Sequence, residues 1–218
     1  MTALAQKAPV TTPEITTSED TAQGPDLDEA LWQAWKAMEL PEGFHAEIIE
    51  GFINVSPTGR FAHGQIANRL RRAIDKHLDE GAYAAYQDMN VVHEHKVWFP
   101  DCFVAPEDSE GHVTNDGIGM EASAVQLIIE VVSPGHDGVE GDREHKCRAY
   151  ARAGIPVYVL IDDHDGRGTV SVLSVPRPDE AAYADTHRVS YGIDVIIPDG
   201  PAKGFTIGEA ITGPPRTA

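Results

Sequence analysis

The chain contains little cysteine, and Cys102 and Cys147 are the only two in its 218 residues. Two thiols cannot build a disulfide framework, so a reduced, cytoplasmic setting is expected. The N-terminal region lacks the apolar stretch of a signal peptide, and no run approaches the roughly 18 apolar residues of a membrane helix. We therefore expect neither a secreted protein nor a membrane-spanning one.

Positive charge is scarce as well, with 17 Lys and Arg residues against 35 Asp and Glu residues and a formal net charge of −18. Such an acidic surface disfavours non-specific binding to nucleic acid, so a nucleic-acid function would need local basic density. Two segments with helical periodicity supply it: Arg60, Arg69, Arg71, Arg72 and Lys76 on the first, and Arg143, Lys146, Arg148 and Arg152 on the second. The candidates for phosphate contacts are Arg60, Arg69 and Arg143.

Composition divides the chain into three parts. Residues 1–25 are rich in Thr, Pro, Ala and acidic residues without apolar periodicity, which predicts a disordered acidic leader. Residues 26–211 alternate helical and strand patterns, which predicts a single domain. Residues 212–218 predict a loose C-terminal tail.

The patterns within the domain predict an α+β (α/β-like) fold with a mixed central sheet covered by helices on both faces. A hairpin that turns at Glu50 and Gly51 is expected to belong to that sheet. The predicted elements are a helix from about 26 to 38, the hairpin strands to 49 and to 55, a helix at 61–78, two or three strands in 83–104, a loop at 105–124, a buried strand at 127–132, a helix from about 139 to 153, a strand at 158–162 and edge strands near 169–175 and 188–197.

The carboxylate of Glu130 lies in an apolar segment, where burying a charge costs free energy. Glu130 lies inside the run Leu127–Val132, and a continuous apolar run of this kind predicts a strand buried on both faces. Removing an ion from water costs several kcal/mol unless something compensates for it. A metal ion, a cationic partner or a protonated carboxyl group would each do so.

Asp101 is the natural partner for Glu130, because it follows Pro100 at an end of another apolar strand. If the two strands are neighbours, the two carboxylates converge and repel unless a cation lies between them. Hard oxygen ligands favour Mg²⁺ or Mn²⁺, and no Cys/His cluster has zinc spacing. Lys146, one helical turn from Tyr150 on the next predicted helix, could assist hydrolysis at such a site.

These segments occur in an order that resembles a known family. The succession AEIIEG, SP, a histidine and a helix, then PD, IIEVVSP, a D-x₃-K-x₃-Y pattern and AGIPVYVLID is similar to the large bacterial Uma-two family of the PD-(D/E)XK nuclease superfamily. The resemblance runs from about residue 40 to 165 and more weakly to about 205. It implies a restriction-endonuclease-like fold and a metal-dependent endonuclease.

The resemblance also implies site residues. Glu47 matches the first acidic residue of the family, Asp101 the aspartate of the PD motif and Glu130 the acidic member of the second half-motif. Val131 would contribute a backbone carbonyl to the metal. The chain departs from the superfamily at Val132, where a lysine is usual, and Lys146 would replace that lysine from the following helix.

Each candidate also has a purely structural explanation. Glu130 could be a structural acid paired with Arg or Lys, Asp101 a turn residue and Glu47 a solvated hairpin residue. Lys146 could be an exposed charge on its helix. His63 could line the cleft, or it could be a capping or surface histidine. Tyr150 could pack or hydrogen-bond beside Lys146.

The leading hypothesis is a Mg²⁺- or Mn²⁺-dependent endonuclease that acts on DNA. One alternative is a catalytically inactive module that keeps the nuclease fold and binds nucleic acid or protein. Another is a metal-dependent hydrolase of small phosphate esters. Because superfamily relatives that cut both strands often pair, a homodimer is expected as well.

Overall fold

The computed structural model describes residues 25–79, 81–132 and 141–215. The predicted leader lies outside these residues up to position 24, and so does the beginning of the predicted helix after Glu130. The helices are α1 (Pro25–Lys36), α2 (Phe61–Leu78), α3 (Cys147–Arg152), which continues a π-helical turn at Gly141–Lys146, and α4 (Glu209–Thr212). None of the helices within these ranges is long and apolar enough to cross a membrane.

The strands form three sheets. They are β1 (Phe44–Ile49), β2 (Phe52–Pro57), β3 (Tyr83–Tyr86), β4 (Asn90–His93), β5 (Lys96–Trp98), β6 (Cys102–Pro106), β7 (Gly119–Glu121), β8 (Leu127–Val131), β9 (Val157–Asp162), β10 (Thr169–Arg177), β11 (Ala182–Ser190), β12 (Val195–Ile196) and β13 (Thr206–Ile207). The largest sheet has the order β11-β10-β9-β8-β6-β3, the second the order β2-β1-β5-β4-β7, and β12 pairs with β13.

The predicted mixed α+β fold with flanking helices is confirmed, with a difference in which strands share a sheet. The six-stranded sheet is mixed because β8 and β9 are parallel while its other neighbours are antiparallel. The β1–β2 hairpin does not belong to it. The other edge of β1 pairs with β5, with Ile48 opposite Val97, so the hairpin extends a separate five-stranded sheet.

The hairpin itself forms as its turn residues require. Glu50 and Gly51 have φ angles of 47° and 83°, and two successive positive φ values match the right-handed twist of the strands on either side. The predicted loop at 105–124 contains a short strand, β7, which pairs in parallel with β4. A three-residue strand is too short to show an alternating pattern in the sequence.

Both faces of the six-stranded sheet are covered. Ile66, Leu70 and Ile74 of α2 pack on one face in a cluster with Leu127 and Ile129. On the other face, the cluster that contains Ile128, Val132 and Tyr150 of α3 also includes Ile49, Val91 and Trp98 of the five-stranded sheet. Strand β8 is buried at every position, as its continuous apolar run predicts.

Helix α1 covers the five-stranded sheet. Its Trp32 packs with Ile48, Val92 and Val97, and its Trp35 donates a hydrogen bond from Nε1 to the carbonyl oxygen of Ala46 at 2.8 Å. The apolar stripe of this helix therefore anchors it on the strand that carries Glu47.

Candidate active site

The register of β6 and β8 brings Asp101 and Glu130 together. The antiparallel register ends with Cys102 opposite Ile129, and its continuation by one residue would set Asp101 opposite Glu130. Residues opposite each other in an antiparallel pair point to the same face of the sheet. Glu130 shares the parity of Ile128 and Val132, which pack on the side of α3. Asp101 and Glu130 both line one cleft beside these strands.

Glu130 is 2% exposed, and two side chains from α3 and the turn before it compensate for its burial. Lys146 donates from Nζ to Glu130 Oε1 at 3.0 Å, and Tyr150 donates from its hydroxyl to the same oxygen at 2.5 Å. Within the described residues both contacts end on Oε1. The second oxygen, Oε2, is therefore the one that could bind a further cation.

Lys146 is the centre of an acidic cluster. Besides Glu130, its Nζ lies 3.3 Å from Glu47 Oε1 and 3.5 Å from Asp142 Oδ1. Asp142 and Lys146 share a face because they are four residues apart in the π-helical turn. Glu47 is held in turn by the backbone N–H of Phe99, which donates to its Oε1 at 2.7 Å. One ammonium group thus connects the five-stranded sheet, the turn and the six-stranded sheet.

Asp101 is fixed by two donors on one oxygen. The backbone N–H of Val131 donates to Asp101 Oδ2 at 2.7 Å, and His63 Nε2 lies 3.0 Å from the same atom. An ionised carboxylate only accepts hydrogen bonds, so His63 donates here. As at Glu130, one oxygen is engaged and the other, Oδ1, is the one that could bind a cation.

These residues line a cleft of about 590 Å³. Its walls come from the start of α2, the end of β8 and the strands of the hairpin. The predicted residues among its lining are Glu47, Arg60, His63, Asp101, Glu130, Val131 and Lys146. Tyr150 does not line it: the side chain is fully buried and reaches the site from below, through Glu130.

The ionisation of the buried groups follows from burial and charge. Burial raises the pKa of Glu130 well above its usual value, although Lys146 opposes the rise. Burial alone would lower the pKa of Lys146, but the carboxylates, Glu130 first, raise it well above its usual value. Burial also lowers the pKa of His63, and the hydrogen bond and charge of Asp101 more than offset this, so that its pKa is raised.

The donor set fits a hard divalent cation. Four carboxylates, those of Glu47, Asp101, Glu130 and Asp142, line the cleft. The ammonium group of Lys146 contacts three of them, all but Asp101. Carboxylate and carbonyl oxygens are the ligands that Mg²⁺ and Mn²⁺ prefer. Within the described residues no group of three or more His, Cys, Asp or Glu side chains is arranged to hold an ion by side chains alone. The resemblance described above adds the backbone carbonyl of Val131, which also lines the cleft, as a further candidate oxygen ligand.

Asp142 and His45 line the cleft and were not predicted as site residues, although the sequence carries a signal for both. Asp142 precedes Lys146 by four residues, which places the two on one helical face. His45 precedes Glu47 by two residues on β1, which places both on one face of the strand. Its ring stacks on Phe99 with centroids 4.8 Å apart, and burial lowers its pKa.

The basic residues are distributed less evenly than their spacing suggested. Arg60 lines the cleft, and Arg69 is exposed on α2 away from the cleft lining. Arg143 donates from Nε to Asp162 Oδ2 at 2.6 Å and lines a different depression. Arg148 and Arg152 both bind Glu50. The predicted phosphate contacts of Arg60, Arg69 and Arg143 stay predictions.

The structure defines a mixed α+β fold whose six-stranded sheet and hairpin place acids and a lysine in one cleft. The family described as "Uma2: Putative restriction endonuclease" matches residues 32–204, and the chain belongs to this family. Family membership and fold together support a nuclease function.

A solved structure supports the fold independently. The chain is similar to a crystal structure described as a "putative nuclease belonging to DUF820" from Anabaena variabilis, at 20% sequence identity and a TM-score of 0.62. The match covers 86% of this chain and 96% of that one. At this identity the likeness concerns the fold alone. Among curated proteins, none matches the chain.

Proposed function

We propose that this protein is a divalent-metal-dependent endonuclease that hydrolyses phosphodiester bonds of DNA. The observation that carries the proposal is that Asp101 and Glu130, next to or on the neighbouring strands β6 and β8, line one cleft, with Lys146 Nζ 3.0 Å from Glu130 Oε1. Family membership adds the nuclease class. We take DNA as the substrate from the family's description as a restriction endonuclease, and the metal-dependent reaction from the carboxylates of the cleft.

Asp101, Glu130 and the carbonyl oxygen of Val131 would hold Mg²⁺ or Mn²⁺. Such an ion polarises a phosphate oxygen and lowers the pKa of a bound water. The carboxylates of Asp101 and Glu130 suit such an ion because the contacts seen in the described part of the chain occupy one oxygen of each. The other oxygen of each carboxylate could then bind the ion. Glu130 is presented by a rigid, fully buried strand, which keeps its position fixed while substrate binds.

The other charged residues of the cleft would bind the substrate's phosphates or hold Lys146 in place. Lys146 carries a permanent positive charge next to Glu130, where it would stabilise negative charge that develops on the phosphate oxygens. Glu47 and Asp142 hold this ammonium group in place at 3.3 and 3.5 Å. Arg60, at the rim of the same cleft, would bind a phosphate of the DNA backbone.

Cleavage of supercoiled plasmid in Mg²⁺ or Mn²⁺ tests the proposal. Wild-type protein should produce nicked and linear DNA, and Glu130→Gln and Lys146→Met should each reduce the rate by roughly 10²–10³-fold, the usual effect of losing one electrostatic contributor. Lys96→Met is the matched control, because Lys96 pairs with Asp28 away from the cleft. Equal cleavage by all four preparations would point to a contaminating nuclease and would refute the assignment.

A second function is favoured by one observation. Lys146 is 7% exposed and in contact with three carboxylates, a state that also suits a purely structural ion cluster. In that case the protein would be an inactive nuclease-fold module that binds nucleic acid or protein. Calorimetric titration with Mn²⁺ separates the two, since a structural cluster gives no saturable binding that depends on Glu130.

The wider setting remains part of the proposal. We place the protein in the cytoplasm because its two cysteines are unpaired, with Cys102 buried. We also propose a homodimer, because two such sites in one assembly could cut both strands of a duplex in one encounter. Sedimentation velocity of the full chain would establish its oligomeric state.

A further inference from the structure

His63 occupies a position that the proposed reaction does not yet use. It lies in the first turn of α2, and its Nε2 is 3.0 Å from Asp101 Oδ2. The side chains of His63 and Asp101 are 13% and 19% exposed, so the pair is shielded from bulk water. A hydrogen bond in this setting is well suited to fix the orientation of a carboxylate.

The contact of His63 with Asp101 is one of two that hold the same carboxylate oxygen. The backbone N–H of Val131 binds the same oxygen, Oδ2, at 2.7 Å. With two donors on Oδ2, rotation of the carboxylate is restricted and Oδ1 is the oxygen presented to a cation. His63 and the backbone N–H of Val131 therefore act on the same oxygen of one of the groups that would hold the metal.

The imidazole ring of His63 packs directly against Gly59. A Cβ atom at Gly59 would clash with the ring, and Nδ1 is the atom that it would meet first. Gly59 thus leaves the space that the imidazole occupies, with Nε2 directed at Asp101. This arrangement favours a role through Asp101 over direct contact with a substrate.

We propose that His63 is a positioning residue of the metal site: its Nε2–H orients Asp101 so that Oδ1 faces the cation together with Glu130 and Val131. The proposal rests on the proposed function, because it presupposes a divalent cation at Asp101 and Glu130. Partners that orient metal ligands in this way typically contribute 10–100-fold to metal affinity.

Calorimetric titration of the full chain with Mn²⁺, without DNA, tests the proposal on two variants. His63→Phe keeps a ring of similar shape and loses the donor, so Mn²⁺ affinity should fall by roughly 10–100-fold. His63→Gln loses the ring and keeps an amide N–H that can reach the position of Nε2, so its affinity should stay close to that of the wild type. A role in packing alone predicts the opposite order.

The controls separate failure of this proposal from failure of the metal site. Glu130→Gln should abolish saturable binding. If it does, and His63→Phe binds Mn²⁺ as the wild type does, the proposal is overturned while the metal site stands. If the wild type itself shows no saturable binding, both are overturned.

A second variant keeps the test independent of the folding of His63→Phe. Gly59→Ala leaves the imidazole in the chain and displaces it from its seat. Residue 59 does not have a positive φ, so alanine is conformationally acceptable there. Weaker Mn²⁺ binding by Gly59→Ala supports the proposal, and unchanged binding overturns it.

Discussion

Lys146 stands among three buried or largely buried carboxylates, and replacing it with methionine should leave their charges unopposed. Its Nζ lies 3.0 Å from Glu130, 3.3 Å from Glu47 and 3.5 Å from Asp142, and its side chain is 8% exposed. Methionine has a similar length and apolar stem, so the change removes mainly the charge. The result should be a folded but less stable protein.

The size of the effect follows from the burial of the pair. Removing one partner from a buried ion pair typically costs about 3–5 kcal/mol, because the remaining charge is left without compensation. In a domain of this length each kcal/mol lowers the unfolding midpoint by roughly 2–4 °C. We therefore expect Lys146→Met to unfold about 6–20 °C below the wild type in the absence of divalent ions.

Mn²⁺ should recover part of this loss. A divalent cation can occupy the space between the acids once the ammonium group is absent, and a ligand at 100 times its Kd stabilises the folded state by about 2.7 kcal/mol. The same Mn²⁺ concentration should therefore raise the midpoint of Lys146→Met more than that of the wild type. Thermal unfolding followed by circular dichroism, with and without Mn²⁺, measures both effects.

Lys96→Met provides the comparison. Lys96 and Asp28 are 19% and 25% exposed, and pairs nearer the surface contribute at most about 1 kcal/mol. If Lys146→Met lowers the midpoint no more than Lys96→Met does, the acids are not held together by this ammonium group. The electrostatic account of the site would then have to be abandoned.

Three further substitutions probe the supports of the site. Tyr150→Phe removes the 2.5 Å hydrogen bond to Glu130 and should lower the free energy of unfolding by about 1.5–3 kcal/mol in urea; a smaller loss would show that water replaces the hydroxyl. Ile129→Ala, at a fully buried core position, should cost about 2–5 kcal/mol and leave Mn²⁺ affinity unchanged, and a drop in affinity would contradict the separation of core and site. Glu50→Gln should cost below about 1 kcal/mol, because the pair with Arg148 is partly exposed. The hydrogen bond from Arg148 lowers the pKa of Glu50. The stability lost in Glu50→Gln should therefore be largest above the pH at which an unpaired glutamate ionises, and should vanish as the pH falls through the lowered pKa of Glu50. A loss of stability that grows in acid would contradict this account.

Much of the site could be predicted because its residues break a local pattern. Glu130 stands out as an acid in an apolar strand, and Asp101 as an acid at a strand end. Spacing also placed Lys146 and Tyr150 on one helical face, and both reach Glu130. The sequence could equally have indicated Asp142 and His45, since each is at the helical or strand spacing from a predicted site residue.

The five-stranded sheet could not be predicted, because its strands are short and its pairings join distant segments. Strand β5 has three residues and pairs with both β1 and β4. Strand register depends on which edges meet in space, and that choice is made by packing rather than by local propensity. Most of the strands expected in a single central sheet are therefore divided between the six-stranded and five-stranded sheets, and the cleft lies beside the hairpin of the five-stranded sheet.

The sequence by itself determined where the longer helices and the buried strand β8 would form, because periodicity is a property of neighbouring residues. Tertiary structure alone decided that Asp101 and Glu130 face each other, that Glu47 approaches from another sheet, and that His63 donates to Asp101. Tertiary structure also decided which basic side chains enter the cleft, since Arg143 is paired with Asp162 while Lys146 lies among the acids. Electrostatic interactions depend on distance in space, and only the folded chain sets those distances.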